Sequence, residues 1–408
     1  MKSAVRIAFL AALAVSAAAI AQAPAPKPQV TTVPGMPPVP DASNLYSETA
    51  AGKIRPELAN DLPRVYVPHI QSNDVYVIDP ATFTVVGKLK AGLNPQHVVP
   101  SWDLRTLWVA NNAENTNKGS LMPIDPATGK IGKAIPVDDP YNMYFTPDGK
   151  SAIVVAEAMK RLDFRDPKTM QMQYSIDVPK CGGINHADFS IDGRYAVFTC
   201  EFSGTVAKID LVERKVLGYT QVIQPGRPTQ VVKGPDGRDE LICTTWKGMP
   251  QDVRASPDGK LFYVADMMAD GVHVVDLATF KQVGFIETGK GTHGLYPSRD
   301  GTKLYVANRG SNKIHGPPKG KGSVSVIDFA TQKMVANWPI PGGGSPDMGN
   351  VSADGKWLWL SGRYDNVVYA FDTTSGEVKS IPVGKEPHGL TVWPQPGRYS
   401  LGHTGNLR

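Results

Sequence analysis

Apolar and polar positions alternate with a period of two in short runs that recur from residue 64 onward, and most runs stop at Asp, Asn or Glu. Val75-Tyr76-Val77-Ile78-Asp79, Val272-His273-Val274-Val275-Asp276, Val324-Ser325-Val326-Ile327-Asp328 and Val368-Tyr369-Ala370-Phe371-Asp372 are four copies of one such run. Successive side chains on a strand point to opposite faces, so this rhythm, rich in β-branched and aromatic residues, predicts strands. A second phrase separates them: a Ser/Thr-x-Asp-Gly-like turn, clearest at Ser190-Ile191-Asp192-Gly193, Ser256-Pro257-Asp258-Gly259 and Ser298-Arg299-Asp300-Gly301.

The turn aspartate serves as a register mark. Asp103, Asp148, Asp192, Asp258, Asp300 and Asp354, with Gln395 in a degenerate last copy, stand 45, 44, 66, 42, 54 and 41 residues apart. Such intervals suit four strands and four turns per unit. The two long ones contain segments 223–248 and 309–322, which read as inserted loops. Each unit divides into strand a before the Asp-Gly turn, b after it, c ending in Asp, and d beyond the next turn. Arg64-Val65-Tyr66-Val67-Pro68-His69 is a b strand without its a, while His388-Gly389-Leu390-Thr391-Val392-Trp393 is an a strand without its c and d. Pairing them closes a ring and hides the sheet edges, which predicts an all-β, seven-bladed β-propeller.

The phrases Trp108-Val109-Ala110-Asn111, Tyr305-Val306-Ala307-Asn308 and Ile381-Pro382-Val383-Gly384 resemble the YVTN-type seven-bladed repeat family over residues 64–397. That resemblance implies the fold. Its members include surface-layer proteins, lactonase-like enzymes and periplasmic proteins of redox systems, so it leaves the activity open.

Outside the repeats, Lys2 and Arg6 precede an apolar run over 7–20, and Ala19-Ile20-Ala21 offers a signal-peptidase site. Residues 1–21 therefore read as a signal peptide, and the mature protein as periplasmic or secreted. Residues 22–63 are Pro-rich and polar and read as a semi-extended tether, leaving 64–408 for the propeller. Removal of two basic residues lowers the formal charge from +5 to +3, too mild to argue for nucleic acid or an anionic membrane. No transmembrane segment is expected after signal cleavage. The expected partner is a small-molecule ligand or a periplasmic protein, and the expected state a monomer. Of Cys181, Cys200 and Cys243, the pair Cys200 and Cys243 sits in strands of one repeat unit and is the bridge considered, with Cys181 an inert free thiol.

Strands alternate in direction, so the start of a and the end of b share one rim around the central funnel. The start of a holds His97, Asn142, His186, Asp252, His293, Asp347 and His388; the end of b holds His69, Asn111, Glu157, Glu201, Asp266, Asn308 with Arg309, and Arg363. Four of eight histidines fall in the first slot, and His97, His186, His293 and His388 are the candidate metal ligands. Nitrogen ligation suits copper, zinc or iron, whereas carboxylates with Asn111 and Asn308 would suit calcium. Glu157 and Glu201 are the candidate catalytic carboxylates. Arg254, Arg309, Arg363, Asn111 and Asp266 are the candidate ligand-binding residues. GxSxG, a Walker loop, GxGxxG after a strand and HExxH are all lacking, which removes sequence support for common hydrolase, nucleotide and zincin chemistries. An interaction scaffold, with partner contacts on the two inserted loops, is the non-catalytic alternative.

Overall fold

The computed structural model describes residues 29–234, 237, 239–403 and 406–408, so the signal peptide expected at 1–21 lies outside the described residues. Seven antiparallel sheets of four or five strands form the blades, and strand order follows chain order in six of them. In the first blade Thr391–Trp393 pairs with Arg64–His69, which continues to Asp74–Asp79 and Thr84–Lys90. The ring is closed by its two ends, as the strand pattern predicted. Blades two to seven begin with inner strands Pro95–Pro100, Pro140–Phe145, Ile184–Phe189, Pro250–Ala255, Thr292–Pro297 and Pro346–Val351.

The repeated turn explains its own residue types. In blade four Ser190 Oγ donates to Asp192 Oδ1 at 2.5 Å, Asp192 Oδ1 accepts from the Arg194 amide, and Ser190 Oγ accepts from the Tyr195 amide at 2.9 Å. Gly193 takes φ +77°, a left-handed conformation that glycine enters without steric cost. The inner strands are buried on both faces, and their apolar residues form the inter-blade cores, for example Tyr144, Ile153, Phe164, Phe189 and Phe198 between blades three and four.

Insertion 223–248 is not only loop, since Gln230–Lys233 pairs with Asp239–Ile242 as a small hairpin outside the ring. Two flanking segments matter more. The part of the expected tether that is described lies against the turn end of the ring: the Val33 amide donates to Asp192 O, the Leu45 amide to Pro257 O, and Tyr46 Oη to Ala255 O. Met36, Leu45, Tyr46 and Leu58 are buried there, because sparse apolar residues at wide spacing meet successive blades in turn.

The described residues of 398–408 fold back past the closing strand. Tyr399 and Arg408 exchange backbone hydrogen bonds, and the Leu401 carbonyl accepts from the Phe145 amide. Tyr399, Leu401, Leu407 and Arg408 are all buried, and Arg408 pairs with Asp188 at 2.7 Å. The segment thus sits against the inner strands of blades three and four. Among the described residues, no helix is long and apolar enough to cross a membrane.

Cysteine pairing departs from the register argument. Cys181 bonds Cys200, and Cys243 is free. Strand b of blade four returns beside its own strand a, bringing Cys200 to the start of that strand, whereas Cys243 lies beyond the outer strand at the foot of the inserted hairpin.

Candidate metal centre

Histidines from three blades and from residues 398–408 meet, which only the ring axis permits. His97, His186 and His403 place ligand atoms within 4.8 Å of one another, and all three are buried. His388 joins them, its ring centroid 4.8 Å from that of His97. Tyr141 packs on the group from the funnel side, 5.4 Å from His97, 5.9 Å from His186 and 6.4 Å from His388. Of the four expected ligands, three are therefore gathered here. His293 stands aside: its Nδ1 lies 2.8 Å from Asp347 Oδ1, and its ring is 6.4 Å from His186.

Burial holds the imidazoles neutral. Desolvation pushes His97 down to about 3 and His293 to about 4, and with neighbouring rings it holds His186, His388 and His403 well below the usual histidine range. A neutral imidazole offers one lone pair, and its hydrogen bonds decide which nitrogen carries it. His388 Nδ1 lies 3.1 Å from Gln96 O, so it donates there and leaves Nε2 as a lone pair. A carbonyl behind the second nitrogen is the usual support of a metal-ligating histidine. His97 has no hydrogen-bond partner on either nitrogen among the described residues, nor has His186 on Nε2 or His388 on Nε2. Leaving a buried polar atom unpaired costs about 1–3 kcal/mol, so four such atoms on three adjacent rings mark a place built to receive something.

Asn142 controls the other two rings. Its Oδ1 accepts from the Met143 amide at 2.8 Å, which fixes the opposite end as NH2. That NH2 faces Nδ1 of His186 and Nδ1 of His403, each at 3.1 Å. Both Nδ1 lone pairs thus aim at one point. Gly389 sets the floor: a Cβ there would lie 1.9 Å from His97 Nδ1.

Around the cluster stands a second layer of charge. Asp347, fully buried, takes Arg309 Nε at 2.8 Å, with His388 Nε2 at 3.6 Å and Arg363 Nη1 at 4.0 Å. Burial works against its charge, but the Arg309 guanidinium, with the hydrogen bond from His293, outweighs that and holds it well below the carboxylate range. Arg363 is committed to Glu386 at 3.0 Å. Glu201 accepts from Gln251 Nε2 at 3.0 Å and Asn185 Nδ2 at 3.2 Å, and burial pushes it up. Glu157 is half-buried, and burial beside the Glu201 carboxylate raises it well above the usual range.

Three expected ligand-binding residues have other work. Arg254 is 1% exposed and lies deeper on its inner strand, 3.2 Å from Asp252, with Nη1 on Val253 O. Strand alternation turned it toward the blade interior instead of the mouth. Asn111 holds the Gly92 amide and Ser120, and Asp266 Oδ1 accepts from the Met249, Met268 and Ala269 amides while Oδ2 contacts His273. Asn308 donates its NH2 to Ser323 and Ser325, and among the described residues no group of three carboxylates is gathered that would suit calcium. His403 lies outside the repeat register, so the repeat pattern could not point to it. Its signal was the run Tyr399-Ser400-Leu401 followed by Gly402-His403, a strand-like stretch and turn beyond the last repeat.

Comparisons with known proteins agree on architecture. A family model described as YNCE-like β-propeller matches residues 241–396, and one described as lactonase, 7-bladed β-propeller, matches residues 138–316. The chain is a seven-bladed propeller, as its motifs implied, and each family model matches part of it. Antigen Lp49 of Leptospira interrogans is 24% identical over 235 residues, which are 46% of this chain and 48% of that protein, so the match spans about half of each. Among solved structures, a candidate 6-phosphogluconolactonase of Bacteroides fragilis is similar with a TM-score of 0.59 at 16% identity, over 81% of this chain and 98% of that one. The dihydro-heme d1 dehydrogenase NirN has a TM-score of 0.54 at 14% identity, over 81% and 75%. Hydrazine synthase of Kuenenia stuttgartiensis has 0.53 at 18%, over 72% and 87%. Likeness at this identity shows the fold alone.

Proposed function

We propose that the protein is an exported propeller that holds a transition-metal ion in its axial histidine cluster and handles a small ligand above it, in a periplasmic redox or catabolic pathway. The observation that carries this reading is the set of unpartnered nitrogens on His97, His186 and His388, next to His403, in a cluster whose rings are all neutral. Nitrogen donors without gathered carboxylates suit copper, zinc or iron better than calcium. His97 and His388 are the ready ligands. His186 and His403 become ligands through Nδ1 when the Asn142 amide yields, or through Nε2 if the rings change tautomer. A metal held there would supply a Lewis acid or an electron carrier to a ligand entering past Tyr141.

Export is supported by the signal-like first residues and by the Cys181–Cys200 bridge, which suits an oxidising compartment. A metal-dependent, lactonase-like hydrolase with Glu157 or Glu201 as base is the second reading, favoured by the lactonase family match over 138–316. Metal analysis of untagged full-length protein, after reconstitution with copper, zinc and iron in turn, tests the first. One ion per chain, lost in His97→Ala, is expected. No stoichiometric ion under any condition would overturn it.

A further inference from the structure

The two sides of the funnel mouth are not electrically alike. On blades six and seven Arg309 and Arg363 are neutralised by Asp347 and Glu386 at 2.8 and 3.0 Å. On blades two to four the carboxylates have no such match. Glu201 is held by neutral amides, and the Glu157 side chain makes no hydrogen bond or ion pair among the described residues.

Independent of those charges, two buried amides there lack a partner on their oxygen. Gln96, 2% exposed, donates its NH2 to Glu114 Oε1 at 2.8 Å, and its Oε1 has no partner among the described residues. Asn185, fully buried, donates its NH2 to Glu201 Oε2, and its Oδ1 is likewise unpartnered. Neither amide can be turned over to cure this, because a carboxylate accepts only N–H and fixes each NH2 in place. The two open amide atoms of this wall, Gln96 Oε1 and Asn185 Oδ1, are therefore both acceptors. Tyr141 completes the wall, its ring resting on the histidines.

We infer that the mouth over blades two to four binds an organic ammonium group, held by Glu157 and by the open oxygens of Gln96 and Asn185 against the ring of Tyr141. An ammonium carries three donors and no acceptor, which matches what the wall lacks, and an aromatic face adds attraction for a cation. A second metal ion is a poorer occupant. Among the described residues the only group of three His, Cys, Asp or Glu ligand atoms within metal-binding reach is the histidine cluster beneath. Crowding of Glu157 against Glu201 also disfavours its charge until a cation arrives to relieve it. This inference rests on the metal reading only in placing the amine above the same histidines.

Calorimetric titration of untagged full-length protein with n-propylamine, n-propanol and propionate at pH 7 tests it. Propylammonium should bind one per chain, at least about ten-fold tighter than the alcohol or the carboxylate, as a charge-assisted contact requires. Glu157→Gln should weaken it about ten-fold, and Gln96→Met should weaken it without altering the circular dichroism spectrum. Equal affinity for propanol, a preference for propionate, or unchanged binding in both variants would overturn the inference. Running the titration on chelator-treated and metal-loaded protein separates the two readings. Amine selectivity in protein that takes up no metal sustains this site and sinks the metal centre, whereas metal uptake without amine selectivity sinks this site alone.

Discussion

Replacing Cys181 and Cys200 together by alanine cuts the staple between the start of strand a and the end of strand b in blade four. Asn185 and His186 follow one cysteine closely, and Glu201 follows the other. The bridge spans a sequence separation of 19, and closing a loop of that length restricts the unfolded chain by about 3 kcal/mol. For a chain of 408 residues, an unfolding entropy of about 2.1 cal/mol/K per residue converts this into a fall in melting temperature of about 4 °C. Thermal unfolding of the oxidised wild type and the double variant, followed by circular dichroism, measures it. Thiol titration of the unreduced protein in denaturant should find one thiol, Cys243, and three after reduction. Three thiols before reduction, or a peptide map joining Cys200 to Cys243, would refute the pairing. An unchanged melting temperature would refute the loop-entropy argument.

Other consequences are as direct. His403→Ala should reduce metal retention on dialysis while leaving the propeller's circular dichroism intact, and full retention would remove His403 from the ligand set. Gly389→Ala brings a methyl group to 1.9 Å from His97 Nδ1, so His97 must move, and metal uptake should fall as far as in His97→Ala. In metal-free protein the His97 ring should not protonate until about pH 3; NMR titration checks this. Because its folded value lies below the unfolded 6.5, its contribution to stability is present above pH 6.5 and is lost as pH falls toward 3. Met36→Ala should destabilise by about 2–5 kcal/mol in urea unfolding, since Met36 packs in the core of blades three and four; a change under 0.5 kcal/mol would return its segment to a tether.

The legible part of the site was the part the repeat carries. His97, His186 and His388 occupy equivalent places in three units, so one register aligned them before any coordinates. His293 shares that slot yet was diverted, because Asp347 in the next unit reaches its Nδ1 at 2.8 Å, a contact no single repeat contains. Asn111 and Asp266 looked like rim ligands by position. Their oxygens are engaged by backbone amides of their own blades, as a short polar side chain at a strand end often is.

Strand rhythm, turn chemistry and ring closure could be read from the chain because each depends on residues a few positions apart, repeated seven times. A period of two and an Asp-Gly turn mean the same thing wherever they occur. Which thiols pair is decided by how strands a and b of one blade meet, and which arginines are neutralised and which histidine outside the repeats completes the axial cluster are decided between blades or by residues 398–408. There the relevant distance runs through space between segments up to three hundred residues apart, as between Gln96 and His388. Only the closed ring brings such partners within reach, and burial in its centre then sets their charge.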